Sequence, residues 1–94
     1  MTKDDFLLDD FELHVLTATG HPLPGVEIYE EYATNTCGGS DHPGTTDRQG
    51  TAQIELIAET IRALTLVRPG GQERQLTGQE LRALFAQHKL TLRW

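Results

Sequence analysis

The chain contains one cysteine (Cys37), one methionine and one tryptophan (Trp94). A lone cysteine excludes an internal disulfide and fits a reducing compartment. Long apolar runs are missing as well. None approaches the ~18 residues that a transmembrane helix requires, so no membrane partner is expected. The start, Met1-Thr2-Lys3-Asp4-Asp5, lacks the basic segment and long apolar stretch of a signal peptide, and a cytoplasmic location is the expectation. Positive charge is scarce: 8 Lys and Arg face 14 Asp and Glu, for a net charge of −6. Such a surface repels phosphate backbones, which argues against nucleic acid and favours a basic protein surface or a cation.

What remains is enough for one domain. Ninety-four residues, 37% of them apolar, supply one modest hydrophobic core and no second one. Residues 1–10, with Asp4, Asp5, Asp9 and Asp10 around Phe6-Leu7-Leu8, read as an acidic arm, and 11–94 as a single domain. From Phe11 the pattern alternates, with Phe11, Leu13 and Val15 facing one way and Glu12 and His14 the other, the mark of a half-buried strand. Gly20-His21-Pro22-Leu23-Pro24-Gly25 breaks it with a turn. A second strand places Val26 and Ile28 opposite Glu27 and Tyr29 and continues towards Tyr32.

Residues 34–50 form the longest polar, glycine-rich stretch and read as a loop. Its end, Thr46-Asp47-Arg48-Gln49-Gly50, reads as a tight turn in which Asp47 bonds its own backbone two residues on and Gly50 takes a positive φ. Ala52, Ile54 and Leu56 alternate again. Ile54, Ile57, Ile61 and Leu64 also lie at helical spacing, but the turn before them and the β-rich Leu64-Thr65-Leu66-Val67 favour strands. Arg68-Pro69-Gly70-Gly71 is a turn, with Gln72 to Leu76 as a hairpin partner. Thr77-Gly78-Gln79-Glu80 has the form of a capping box, followed by Leu81, Leu84, Phe85 and His88 on one helical stripe. Leu90, Leu92 and Trp94 alternate as a last strand.

The order of parts carries a resemblance. Thr19-Gly20-His21-Pro22-Leu23-Pro24-Gly25-Val26-Glu27-Ile28 precedes a polar loop and then Gly44-Thr45-Thr46-Asp47-Arg48-Gln49-Gly50-Thr51-Ala52. This resembles the transthyretin-like (prealbumin-like) sandwich of carboxypeptidase regulatory-like domains, in which a "G-x-P-L-x-G-V" segment opens the second strand and a "T-D-x-x-G" turn a later one. It is also similar to the transthyretin-like extensions on the valine-glycine-repeat spike proteins of bacterial type VI secretion, where a "G-x-T-D-x-x-G-x-T" segment recurs. The resemblance covers about half the chain. It implies an antiparallel β-sandwich that binds a cargo or adaptor; the C-terminal helix is a departure. An enzymatic branch of the fold, hydroxyisourate hydrolase, ends in Tyr-Arg-Gly-Ser, whereas this chain ends Thr91-Leu92-Arg93-Trp94, so that activity is not implied.

Few residues carry chemistry of their own. Cys37, Asp41 and His42, with Asp47 nearby, are donor types that suit zinc, yet no paired Cys or His spacing accompanies them, and His14 and His21 would have to converge from elsewhere. Cys37 near His42 lies in a negatively charged stretch, which opposes a reactive thiolate. Gly38, Gly39 and Gly44 match neither phosphate-binding glycine pattern. No catalytic, cofactor or metal residue is therefore assigned, and no enzyme is expected.

The carboxylates Glu27, Glu30 and Glu31 beside Tyr29 and Tyr32 form an acidic-aromatic strand surface, since tyrosine offers contact area and carboxylates select basic partners. The reading is a mostly-β sandwich with one short C-terminal helix that acts as a protein-binding or adaptor module. Tyr29, Glu30, Tyr32, Asp41 and His42 are its contact residues, and an edge strand is available for a homodimer. The alternative is a small acidic immunity-like protein that neutralises a basic toxin.

Overall fold

The alternation that begins at Phe11 belongs to a strand, β1, running from Asp9 to Leu16. The computed structural model describes residues 8–33 and 38–94, so most of the acidic arm and Cys37 lie outside the described residues. Along the chain β1 is followed by β2 (Glu27–Ala33), β3 (Gly38–Thr45), β4 (Thr51–Leu56), β5 (Ile61–Val67), β6 (Glu73–Leu76), α1 (Gly78–Gln87) and β7 (Lys89–Arg93). They make two sheets, one in the order β4-β1-β7 and one in the order β3-β2-β5-β6. The inward residues of both sheets, among them Phe11, Leu13, Val15, Ile28, Ile54, Leu64 and Leu66, form one buried cluster. Two half-buried sheets share one core, as period-2 alternation requires.

The expected fold needs three corrections. The pairing is not wholly antiparallel: β1 runs antiparallel to β4 but parallel to β7. The helix carries the chain from β6 of one sheet to β7 of the other, where β7 lies alongside β1 in the same direction.

Secondly, 34–50 is not one loop. Gly38–Thr45 is an edge strand that pairs antiparallel with β2. It carries no alternating apolar residues because it is an edge whose pairing comes from β2, and Pro43, which has no N–H, is tolerated at an edge or a bulge. The register slips here: Ile28 faces Gly44 and Glu30 faces Asp41, so that Tyr29 alone opposes His42 and Pro43. That is a β-bulge.

Thirdly, the capping box does not form. Thr77 occupies the N-cap position of α1 but makes no side-chain cap hydrogen bond. Gly78 has φ +57, which turns the chain away from the geometry a capping threonine needs. Glu80 instead accepts a hydrogen bond from Arg74 of β6 at 2.6 Å. The helix is held by packing. Leu81 and Leu84 are buried, and Phe85 lies 5.3 Å from the Phe11 ring between centroids. Burying two leucines contributes about 1.5–3 kcal/mol each, more than the ~1 kcal/mol of a cap. His88 does not extend the buried stripe. It is the left-handed residue that ends the helix, with its ring 5.0 Å from Phe11.

Elsewhere the local reading holds. Residues 51–56 stay extended, one 3-10 turn spans Ala58–Thr60, and β5 resumes at Ile61. Asp47 Oδ1 accepts from the Gln49 and Thr51 amides at 2.9 and 3.1 Å, and Gly50 has φ +75. Thr46 is buried; its hydroxyl donates to the Leu23 carbonyl at 2.7 Å and accepts from the Val26 amide at 2.9 Å. One side chain thereby ties the 20–26 turn to the 46–50 turn.

Candidate binding surface

The position of each candidate residue follows from the pleat of β2. Ile28 points into the core, so Glu27, Tyr29 and Glu31 share the opposite, outer face, while Glu30 and Tyr32 lie on the side of Ile28. The five contact residues therefore do not form one patch. Tyr29 and His42 meet on the outer face, where the bulge brings their rings into a stack with centroids 4.7 Å apart and planes 22° from parallel. Glu30, Tyr32 and Asp41 meet at one end of the sandwich.

The outer site is a shallow hollow of about 700 Å³ over β2, β5 and β6. Strand register sets its rows. Glu27 faces Val67, which faces Glu73; Tyr29 faces Thr65, which faces Gln75; Glu31 lies in the next row. All seven of these residues line the hollow, and so does Gly39 of β3. Two carboxylates are held in place. Glu27 Oε1 accepts from the Tyr29 hydroxyl at 2.9 Å, and Glu31 Oε2 accepts from Thr65 Oγ1 at 3.3 Å and Gln75 Nε2 at 3.2 Å. The hydrogen bond to Glu27, then burial and the same carboxylate's charge, raise the Tyr29 phenol above its ordinary value, so it stays a neutral donor. Among the described residues no lysine or arginine lines the hollow.

The second site is a cleft of about 390 Å³ between the sheets, lined by Leu8, Glu30, Tyr32, Asp41, Glu55, Ile57 and Thr60. Glu30 and Asp41 sit directly opposite each other on β2 and β3. Like charges so placed repel. Burial first, and the Asp41 charge second, raise the Glu30 carboxyl above its ordinary value.

The donors considered for a metal go to other partners. Asp41 Oδ1 accepts from the His42 amide at 2.9 Å, and His42 Nε2 lies 3.2 Å from Thr45 Oγ1. His14 Nε2 lies 3.0 Å from the Gln49 carbonyl and His21 Nδ1 3.0 Å from Thr19 Oγ1. Among the described residues no group of three or more His, Cys, Asp or Glu is placed to hold a metal. Cys37 lies outside the described residues.

Of the residues that line the hollow, the sequence singles out Glu27, Tyr29 and Glu31, with only Tyr29 among the expected contact residues, and does not point to Thr65, Val67, Glu73 and Gln75. Their alternation marks an outward face, yet which strand lies beside β2 is a matter of pairing that no local pattern states. Comparison with protein-family models, with curated proteins and with solved structures finds no match. The fold and surface define a mostly-β, two-sheet domain with an acidic-aromatic open face. Among the described residues no helix is long and apolar enough to cross a membrane.

Proposed function

We propose that this chain is a protein-binding adaptor module that receives a basic partner on the outer face of its four-stranded sheet. One observation carries the reading: Glu27, Glu31 and Glu73 surround Tyr29 in a hollow that, among the described residues, holds no basic side chain. The helix packs on β7 and β1, away from this face. Carboxylates on such a face steer and select a basic partner, while tyrosine supplies contact area. The reading assigns no catalytic step and no cofactor.

Within that class we favour a transthyretin-like sandwich attached to a bacterial secretion spike or its cargo, working in a reducing, cytoplasmic compartment. Support comes from the order of the turn segments Thr19–Ile28 and Gly44–Ala52, which Thr46 joins through two buried hydrogen bonds. The net charge of −6 equally favours an immunity-like protein that neutralises a basic toxin. A pull-down with an activity assay on the captured protein separates the two, because a neutraliser abolishes its partner's activity and an adaptor leaves it intact.

The face itself is tested with Glu27→Gln, Glu31→Gln and Glu73→Gln combined, after a circular-dichroism check of folding. The wild-type chain is expected to bind lysine- or arginine-rich peptides and not acidic ones, and the triple variant to bind about tenfold or more weakly. Equal affinity in variant and wild type overturns the assignment of this face.

A further inference from the structure

We infer that the hollow on the four-stranded sheet is a seat for the guanidinium of an arginine, presented by an extended segment of a partner protein, in preference to a lysine. The inference rests on the acidic-face reading and deepens it. A compact ammonium needs only negative potential, which any carboxylate cluster supplies. A planar guanidinium gains further from an aromatic surface and from carboxylate oxygens placed to receive its rigid fork of donors. The hollow offers both. Tyr29 sits in the middle row with His42 stacked against it 4.7 Å away, which braces the ring. Glu27 and Glu31 lie one strand repeat to either side of Tyr29 on the same face. Glu31 has already been fixed by Thr65 and Gln75, so little side-chain freedom is lost when it accepts a ligand's donor.

The floor adds selectivity. Thr65 and Val67 are half-buried and present a shallow, partly apolar base. The methylene stem of an arginine can lie along it while the charged head reaches the carboxylates. Strand register places Glu73 two strands from Glu27 with Val67 between them, about 10 Å across the sheet. That span admits a guanidinium and its stem between two carboxylates. An extended peptide whose side chains alternate would bring every second residue to this face, matching the Glu27, Tyr29, Glu31 spacing along β2.

The test uses the full chain and two nine-residue peptides of identical sequence, one with arginine and one with lysine at alternate positions, titrated by isothermal calorimetry. The arginine peptide is expected to bind about tenfold more tightly. Tyr29→Leu should erase that preference, bringing the two peptides to equal affinity within about twofold, and Tyr29→Phe, which keeps the ring and drops the bond to Glu27, should retain it. Thermal melts of both variants confirm that they fold. Equal binding of the two peptides by the wild-type chain overturns the arginine seat and leaves the acidic-face reading standing. Binding of neither peptide overturns both. Sedimentation without peptide covers the remaining occupant: a dimer that dissociates in the triple glutamine variant assigns the face to a second copy and overturns the proposal.

Discussion

Single residues decide much of this molecule, and two substitutions test this directly. Gly50 closes the Asp47 turn at φ +75, and a Cβ there would come within 2.4 Å of the Val15 carbonyl oxygen and 3.0 Å of the Leu23 amide nitrogen. Both obstacles are backbone in the middle of the core turns, so neither can move aside alone. Gly50→Ala is therefore expected to destabilise the fold by about 3 kcal/mol or more, measured by urea denaturation. A loss below about 1 kcal/mol would show that the turn relaxes freely.

Glu30 and Asp41 give a pH-dependent counterpart. Because the folded chain raises the Glu30 carboxyl, the native state holds that proton more tightly than the unfolded chain does. Stability contributed at this site is then greatest at low pH and falls as pH rises through the window just above the ordinary carboxylate range. Asp41→Asn keeps the oxygen that accepts from the His42 amide and removes the opposing charge. The variant should be more stable than wild type at about pH 7, with the advantage shrinking towards about pH 4 as Glu30 takes up its proton. Paired denaturation curves across that range check it, and an advantage independent of pH would rule out the charge explanation.

At the scale of elements, the helix and the bulge show packing overruling local signals. Thr77, Gly78, Gln79 and Glu80 have the composition of a capping box, yet Gly78 enters the left-handed region and Glu80 is taken by Arg74. Thr77→Ala is accordingly expected to change stability by less than about 0.5 kcal/mol, where a formed cap would cost about 1 kcal/mol. Thermal or urea unfolding distinguishes the two values. The Arg74–Glu80 pair is partly exposed, and Arg74 also donates to the Arg93 carbonyl at 2.9 Å, so one side chain links β6, α1 and β7. The bulge in β3 likewise changes what a strand can present. Without its extra residue, His42 would alternate to a different position relative to Tyr29, and the stacked pair would not exist.

Across the whole molecule the charge is unevenly distributed. Arg74, Arg82, Lys89 and Arg93 belong to β6, α1 and β7, and Arg68 lies 5.3 Å over the Trp94 ring. The carboxylates Glu27, Glu31 and Glu73 look outward from the four-stranded sheet, to which Arg74 of β6 and Arg62 of β5 also belong. An acidic face of this kind attracts a basic partner over a distance set by ionic strength, about 10 Å at 0.1 M salt. Association of the wild-type chain with a basic peptide should thus weaken markedly between about 0.05 and about 0.5 M salt, chiefly through a slower on-rate. Stopped-flow measurement at several salt concentrations checks this, and a salt-independent on-rate would contradict electrostatic recognition.

The sequence by itself determined the strands β1, β2, β4, β5, β6 and β7, the turn at Asp47–Gly50 and the buried leucines of the helix. These depend on alternation, on a side chain bonding its own backbone, and on the absence of a Cβ, all of which act over a few residues. Only the tertiary structure decided that Gly38–Thr45 is an edge strand, that β7 runs parallel to β1, and that Tyr29 and Tyr32 face opposite ways with Asp41 and His42 divided between them. Those outcomes follow from which strand lies beside which and where the register slips, and such long-range pairing leaves no mark in any short stretch of sequence.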